Sequence, residues 1–129
     1  ISIWGKLIKK ELFKDKKIIF PENIFMGEDL LTSLKLVFFS KKIGKVNKAF
    51  YNYVQHENQG TKITKKEKAY EDLFYLYMEI EKFLKKQNIF FKYKNVFYSR
   101  IFQMCRTMLK EEYKNTKVYI ELKKIFARK

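Results

Sequence analysis

Residues 69 to 84, AYEDLFYLYMEIEKFL, carry apolar side chains at intervals of three or four positions. The repeating residues are Ala69, Leu73, Leu76, Tyr77, Ile80 and Leu84. This spacing places them on one face of an α-helix of about four turns. Thr64 and Glu67 precede the repeat with the three-residue spacing of a capping box, which predicts that the helix begins there.

Two further apolar repeats follow along the chain. Asn88 marks a break, and Asn115 precedes the last repeat. The middle repeat is Phe90, Phe97, Ile101, Met104, Cys105 and Met108, and the last is Val118, Leu122, Ile125 and Phe126. We therefore predict that residues 65–129 form a small bundle of helices. Cys105 lies within its repeat, which predicts a buried and unreactive thiol.

The first half of the chain predicts a mixture of elements. An apolar face at helical spacing predicts a short helix within residues 3–13, and another predicts a helix from Asp29 to about Ser40. The residues of the first face are Trp4, Leu7, Ile8 and Leu12, and those of the second are Leu30, Leu31, Leu34, Val37 and Phe38. Residues 44–56, which are rich in β-branched and aromatic side chains, favour a strand. The residues that favour it are Val46, Phe50, Tyr51, Tyr53 and Val54. The predicted fold is thus mixed α/β and predominantly α-helical, with one or two strands.

The charge balance indicates an anionic partner. Twenty-nine Lys and Arg residues against fourteen acids give a formal charge of +15. All the basic residues except Arg100, Arg106 and Arg128 are lysines, whereas base-edge reading favours arginine, so sequence-specific binding of nucleic acid is disfavoured. No apolar run approaches the roughly 18 residues that a transmembrane helix needs.

The acidic pair Glu28 and Asp29 lies within FMGEDLLTSLKLVFF, residues 25–39. Acids at a helix start accept unpaired backbone N–H groups and complement the helix dipole, which is their commoner role. His56 is the only histidine, and a lone histidine in a loop is most often a solvated side chain. The chain contains no glycine-rich phosphate loop, no Gly-x-Ser-x-Gly motif and no Asp-x-Asp motif.

Three segments in order carry a more specific signal: IWGKLIKKELF at 3–13, FPENIFMGEDLL at 20–31 and AFYNYVQHENQGTKIT at 49–64. Together they resemble the second half of the catalytic domain of family-two glycosyltransferases of the GT-A fold, which build bacterial capsular and lipopolysaccharide sugars. The resemblance covers residues 1 to 64. It implies that these residues are the C-terminal half of such a domain and that residues 65–129 are its helical tail.

The resemblance also implies site residues and partners. Asp29 would be the catalytic base and Glu28 its acidic neighbour, while Trp4 and Lys6 would lie beside the substrate. His56 would be one ligand of a divalent metal, Mn or Mg, in the full-length enzyme. The main ligands of that metal would lie outside this chain, so no metal is expected on the chain alone. The reaction would transfer a sugar, with inversion, from a nucleotide-sugar donor to a glycan or lipid-linked acceptor.

In this family a nucleotide-binding half with an Asp-x-Asp motif precedes these segments, so we expect the chain to be a piece of a longer enzyme and to be inactive alone. We expect that enzyme to be cytoplasmic, in peripheral contact with the inner face of the membrane. Exposed apolar surface on the piece would favour homo-oligomers. The alternative is a non-enzymatic basic helical module that binds nucleic acid or anionic membrane, which explains the charge equally well but not the order of the three segments.

Overall fold

The structure, a computed structural model, describes residues 2–24, 26–55, 66–110 and 116–127. The chain divides into two compact units, residues 1–64 and residues 65–129. Five helices occur in the described residues: α1 Lys10–Asp15, α2 Glu28–Phe39, α3 Lys66–Lys86, α4 Phe90–Lys110 and α5 Lys117–Ala127. No strand occurs in them. The prediction of a mixed α/β fold, a fragment of a GT-A domain with one or two strands, is therefore wrong.

The strand predicted over residues 44–56 is not formed in its described part. Residues 44–55 are neither helical nor paired in a ladder, and all of their side chains are exposed. A strand is stabilised by hydrogen bonds to a neighbouring strand, and the described chain supplies no such neighbour. The β-branched and aromatic residues that favoured a strand are therefore insufficient alone. His56 lies outside the described residues.

The helix predicted within residues 3–13 begins only at Lys10. Gly5 has a φ of 73°, in the left-handed region that an L-residue helix does not use. The chain leaves α1 in the pattern of a Schellman motif, with Lys17 at φ 49° and the Ile18 N–H bonded to the Phe13 carbonyl at 2.9 Å. Ile18 is buried immediately after this turn.

Helix α2 confirms the helix predicted from Asp29 to about Ser40, although a different set of side chains is buried. Leu31 and Leu36 are buried together with Thr32 and Ser33, whereas the apolar side chains of residues 37 and 38 are exposed. Polar groups can be buried here because they have partners: the Thr32 hydroxyl donates to the Glu28 carbonyl at 3.2 Å. Helix α1 packs against α2.

The second unit confirms the three predicted helices. Helix α3 contacts both α4 and α5, and α4 also contacts α5. The predicted repeats supply most of the core, which consists of Leu76, Ile80, Phe83, Leu84, Phe90, Phe97, Ile101, Met104, Cys105, Met108, Val118, Tyr119 and Leu122. Aromatic edges meet ring faces within it, as in the pair Phe90 and Phe97, whose centroids are 5.7 Å apart.

The turns between these helices follow from their sequence. Asn88, the predicted break, has a φ of 56°. The N–H of the next residue, Ile89, bonds to the Leu84 carbonyl at 3.0 Å, so α3 also ends in a Schellman motif. The Thr116 hydroxyl accepts the Tyr119 N–H at 3.3 Å and caps α5. The capping box predicted at Thr64 lies outside the described residues.

Ile101→Ala should destabilise the protein by about 2–5 kcal/mol, because the Ile101 side chain is fully buried between helices and its removal leaves a cavity. Urea denaturation followed by circular dichroism measures the loss. The matched control is the next residue, Phe102→Ala, whose side chain is 60% exposed and whose loss should change stability little. Equal losses for the two variants would contradict the packing described.

The Cys105 thiol should react slowly in the folded protein. The side chain is buried, and burial raises the pKa of the thiol, so less of the reactive thiolate is present at a given pH. Alkylation with iodoacetamide at pH 8, followed by mass spectrometry, should be much slower without urea than with it. Equal rates in the two conditions would show that the thiol is accessible.

Candidate functional site

Asp29 is the second residue of α2, directly after a sharp turn in the chain. Gly27 precedes the helix with a φ of 84°, a conformation that glycine adopts at little energetic cost. The Leu30 N–H bonds back to the Gly27 carbonyl at 2.8 Å and closes the first turn. Glu28 and Asp29 therefore lie at the helix N-terminus, where negative charge is favoured by the helix dipole.

One hydrogen bond connects this helix start to the beginning of the chain. The backbone N–H of Ile3 donates to Oδ2 of Asp29 at 3.0 Å, across 26 residues of sequence. The bond is partly buried, so it is shielded from competing water more than a surface bond is. It fixes one oxygen of the Asp29 carboxyl group and positions the residues that follow Ile3.

The next residue, Trp4, is the centre of an aromatic cluster made of Trp4, Tyr51 and Tyr53. The Trp4 ring stacks on the Tyr51 ring with centroids 4.9 Å apart and on the Tyr53 ring with centroids 5.1 Å apart. Each of the three side chains is 49% exposed. The aromatic cluster therefore holds its rings together while leaving about half of their surface available to another molecule.

The other residues predicted for the site occupy less defined places. The Lys6 ammonium group donates to the carbonyl of Ser2, within the same segment, and its side chain is exposed. Glu28 is half-buried, and its backbone carbonyl accepts the Thr32 hydroxyl. Of the predicted site residues that the structure describes, Asp29 and Trp4 are the two whose contacts given above link separate parts of the sequence.

Two features of the site were not predicted as such. Tyr51 and Tyr53 were assigned to a strand, but they form the aromatic cluster with Trp4; their Tyr-x-Tyr spacing was the available signal. The hydrogen bond from the Ile3 amide could not be predicted from the sequence, because every residue except proline has the same backbone donor.

The metal predicted from the resemblance has no site among the residues that the structure describes. In that part of the chain, no three His, Cys, Asp or Glu side chains are grouped closely enough to hold a metal ion. His56 lies outside it. Because the resemblance places the main ligands of the metal outside this chain, the metal remains a prediction for the longer enzyme.

A surface depression of about 330 Å³ lies in the second unit, between α3 and α5. Its lining residues are Glu71, Phe74, Lys117, Val118 and Glu121. None of them is a predicted site residue, and the two acids among them would disfavour an anionic ligand such as a nucleotide sugar.

Comparisons of the chain with protein-family models, with curated proteins and with solved structures find no match. A function for this chain must therefore be argued from its segments and from the geometry of the Asp29 site.

Trp4 is the only tryptophan in the chain, so its fluorescence can test the Ile3–Asp29 hydrogen bond. Asp29→Ala removes the acceptor and should release the Trp4 segment, moving the emission maximum to longer wavelength. Asp29→Asn keeps an oxygen that can accept the Ile3 N–H, so its emission should stay close to that of the unchanged protein. Tyr53→Ala, which removes a stacked ring, is the positive control. Identical spectra for Asp29→Ala and the unchanged protein would contradict the role of this bond.

Proposed function

We propose that the chain takes part in the transfer of a sugar from a nucleotide-sugar donor to a hydroxyl group of a glycan or lipid-linked acceptor, with Asp29 as the general base. The biological setting would be the synthesis of bacterial surface polysaccharide, on the cytoplasmic side of the membrane. The observation that carries the proposal is the bond between the Ile3 N–H and Oδ2 of Asp29.

This bond matters because it joins segments that are far apart in the sequence but that together resemble family-two glycosyltransferases. The segment from Ile3 contributes Trp4, the helix start contributes Asp29, and the Tyr-x-Tyr segment contributes two rings that stack on Trp4. Their convergence does not depend on a sheet. It supports a shared role for these residues, independently of the fold that the resemblance implied.

The chemistry of the place suits an acceptor sugar. Exposed aromatic faces can pack against the apolar face of a sugar ring, and a few polar groups then orient it, as in other small-molecule sites. The carboxyl group of Asp29 has two oxygens, of which Oδ2 is held by the Ile3 amide. Oδ1 is the oxygen that we assign to the acceptor hydroxyl, since a carboxylate can accept several hydrogen bonds.

In the proposed reaction, the acceptor oxygen forms a bond to the anomeric carbon of the donor while the bond from that carbon to the diphosphate oxygen breaks. The hydroxyl proton passes to Asp29 as the new bond forms. A single displacement of this kind inverts the anomeric carbon. The hydrogen bond from Ile3 would keep the base in one orientation during the transfer.

Donor binding is assigned to other parts of the enzyme. The chain has no glycine-rich phosphate loop and no Asp-x-Asp motif, and the resemblance places both the nucleotide site and the Asp-x-Asp motif in a half that precedes these segments. We therefore propose that this chain supplies the base and part of the acceptor site, and that activity requires the donor-binding half.

Asp29→Asn should reduce kcat by about 10²- to 10⁴-fold in the whole natural protein that contains this chain, because an amide cannot take the proton from the acceptor. Release of nucleoside diphosphate from a panel of nucleotide sugars, with a glycan acceptor present, measures the rate. The variant should remain folded, because asparagine can still accept the Ile3 N–H. Near-normal turnover in a folded Asp29→Asn protein would contradict the proposal.

Two further variants separate the base from its surroundings. Glu28→Gln should reduce kcat less than Asp29→Asn does, because Glu28 is assigned a supporting role at the helix start. Trp4→Ala should raise the KM for the acceptor while leaving the KM for the donor nearly unchanged, since the aromatic cluster is assigned to the acceptor. An equal rise in both KM values would assign Trp4 to the structure rather than to the acceptor.

A further inference from the structure

Helix α4 differs from its neighbours in charge. Its 21 residues contain Lys92, Lys94, Arg100, Arg106 and Lys110 and no acid. Helix α3 has the same length but balances five lysines with five acids. Three ion pairs within α3 are Lys68–Asp72 at 2.8 Å, Lys82–Glu79 at 2.6 Å and Lys85–Glu81 at 2.7 Å. Positive charge in the second unit is thus concentrated on α4.

The side of α4 that faces away from the core also carries large apolar groups. Phe91 is 83% exposed, Val96 62% and Phe102 60%. Phe91 and Phe102 are three helical turns apart, so they lie along one outer stripe, and Arg106 follows one turn after Phe102. The ammonium group of Lys94 lies 6.0 Å from the centre of the Phe91 ring, so that charge and apolar surface are adjacent.

This combination favours a bilayer surface over other anionic partners. A helix with a basic face and exposed aromatic side chains can lie in the membrane interface, with its rings at the acyl boundary and its cations near lipid phosphates. Nucleic-acid binding could use the rings of Phe91 and Phe102 for stacking, but it would leave the exposed Val96 side chain in water, whereas a bilayer would bury all three. Helix α4 is about 31 Å long at 1.5 Å per residue, which gives it several contacts along a flat surface.

None of the helices in the described residues is both long and apolar enough to cross a bilayer. We propose that the outer face of α4 is a docking surface for an anionic phospholipid bilayer. Phe91 and Phe102 enter the acyl boundary, while Lys92, Lys94 and Arg106 lie against lipid phosphates. This docking does not depend on the role of Asp29, which belongs to the other unit.

Flotation of the full chain with vesicles tests the proposal directly. The chain should float with vesicles of phosphatidylcholine and phosphatidylglycerol but not with phosphatidylcholine alone, and added salt should weaken the binding. Lys92→Gln combined with Arg106→Gln should lower the partition coefficient by roughly 25-fold, at about fivefold per charge. Phe91→Ser, which keeps every charge, should also lower it.

The matched control removes two charges elsewhere. Lys82→Gln combined with Lys124→Gln alters two exposed lysines that pair with acids on α3 and α5, and it should change binding much less than the α4 pair. The Asp29→Asn chain should float with anionic vesicles to the same extent as the unchanged chain. Failure of the sugar-transfer proposal can therefore be distinguished from failure of the membrane-docking proposal.

Three results would overturn the proposal. One is equal flotation with neutral and anionic vesicles, and another is an equal loss for the α4 pair and the control pair. The third is that the chain fails to float but has another partner. Binding of a single-stranded RNA oligonucleotide would assign the α4 face to nucleic acid, and dimers that Phe91→Ser dissociates would assign it to a second copy of the chain.

Discussion

The helices of the second unit depend on one another to bury their apolar faces. Leu76 of α3, Ile101 of α4 and Leu122 of α5 are each completely excluded from solvent. Full burial of one such side chain contributes about 1.5–3 kcal/mol, whereas isolated helices of this length are only marginally stable in water. Packing of the three apolar faces therefore stabilises the helices, and the Asn88 turn allows α3 and α4 to meet.

The first unit depends more on individual polar contacts. Helices α1 and α2 bury fewer large apolar groups, and the described residues of this unit outside them are largely exposed. The partly buried hydrogen bond from Ile3 to Asp29 and the stacking of Trp4 on Tyr51 and Tyr53 hold the neighbouring segment. The bond fixes a carboxyl group at the start of a helix, and the residue after Ile3 is Trp4, whose ring stacks in the half-exposed aromatic cluster.

The two units also use charge differently. Acids at the start of α2 complement the helix dipole, whereas α4 carries cations without acids. An excess of lysine over the whole chain could not distinguish a uniformly solvated surface from a directed one. Burial adds what the charge count could not show, which is that Phe91, Val96 and Phe102 of the same helix are exposed.

The sequence alone determined the helices whose apolar repeat is long and regular. Three apolar repeats predicted α3, α4 and α5; they begin at Ala69, Phe90 and Val118. A period of three to four residues over several turns is compatible with few structures other than a helix. The end of α3 at Asn88 and the start of α2 at its two acids were also predicted from the sequence. Helix caps and left-handed turns depend on neighbouring residues, so local sequence is enough to indicate them. Short patterns were less informative. Residues 3–13 are helical over only part of their length. Residues 44–56 were predicted to be a strand, but the described residues 44–55 have no partner strand.

Only the tertiary structure decided what lies beside Asp29. The Ile3 amide is a backbone group, so its hydrogen bond to Asp29 could not be predicted from the residue type. The stacking of Tyr51 and Tyr53 on Trp4 joins positions nearly fifty residues apart. It also decided that Thr32 and Ser33 are buried while Val37 and Phe38 are exposed. The physical reason is common to these cases: contacts between distant segments depend on how elements pack, and packing is a property of the whole chain rather than of any local pattern.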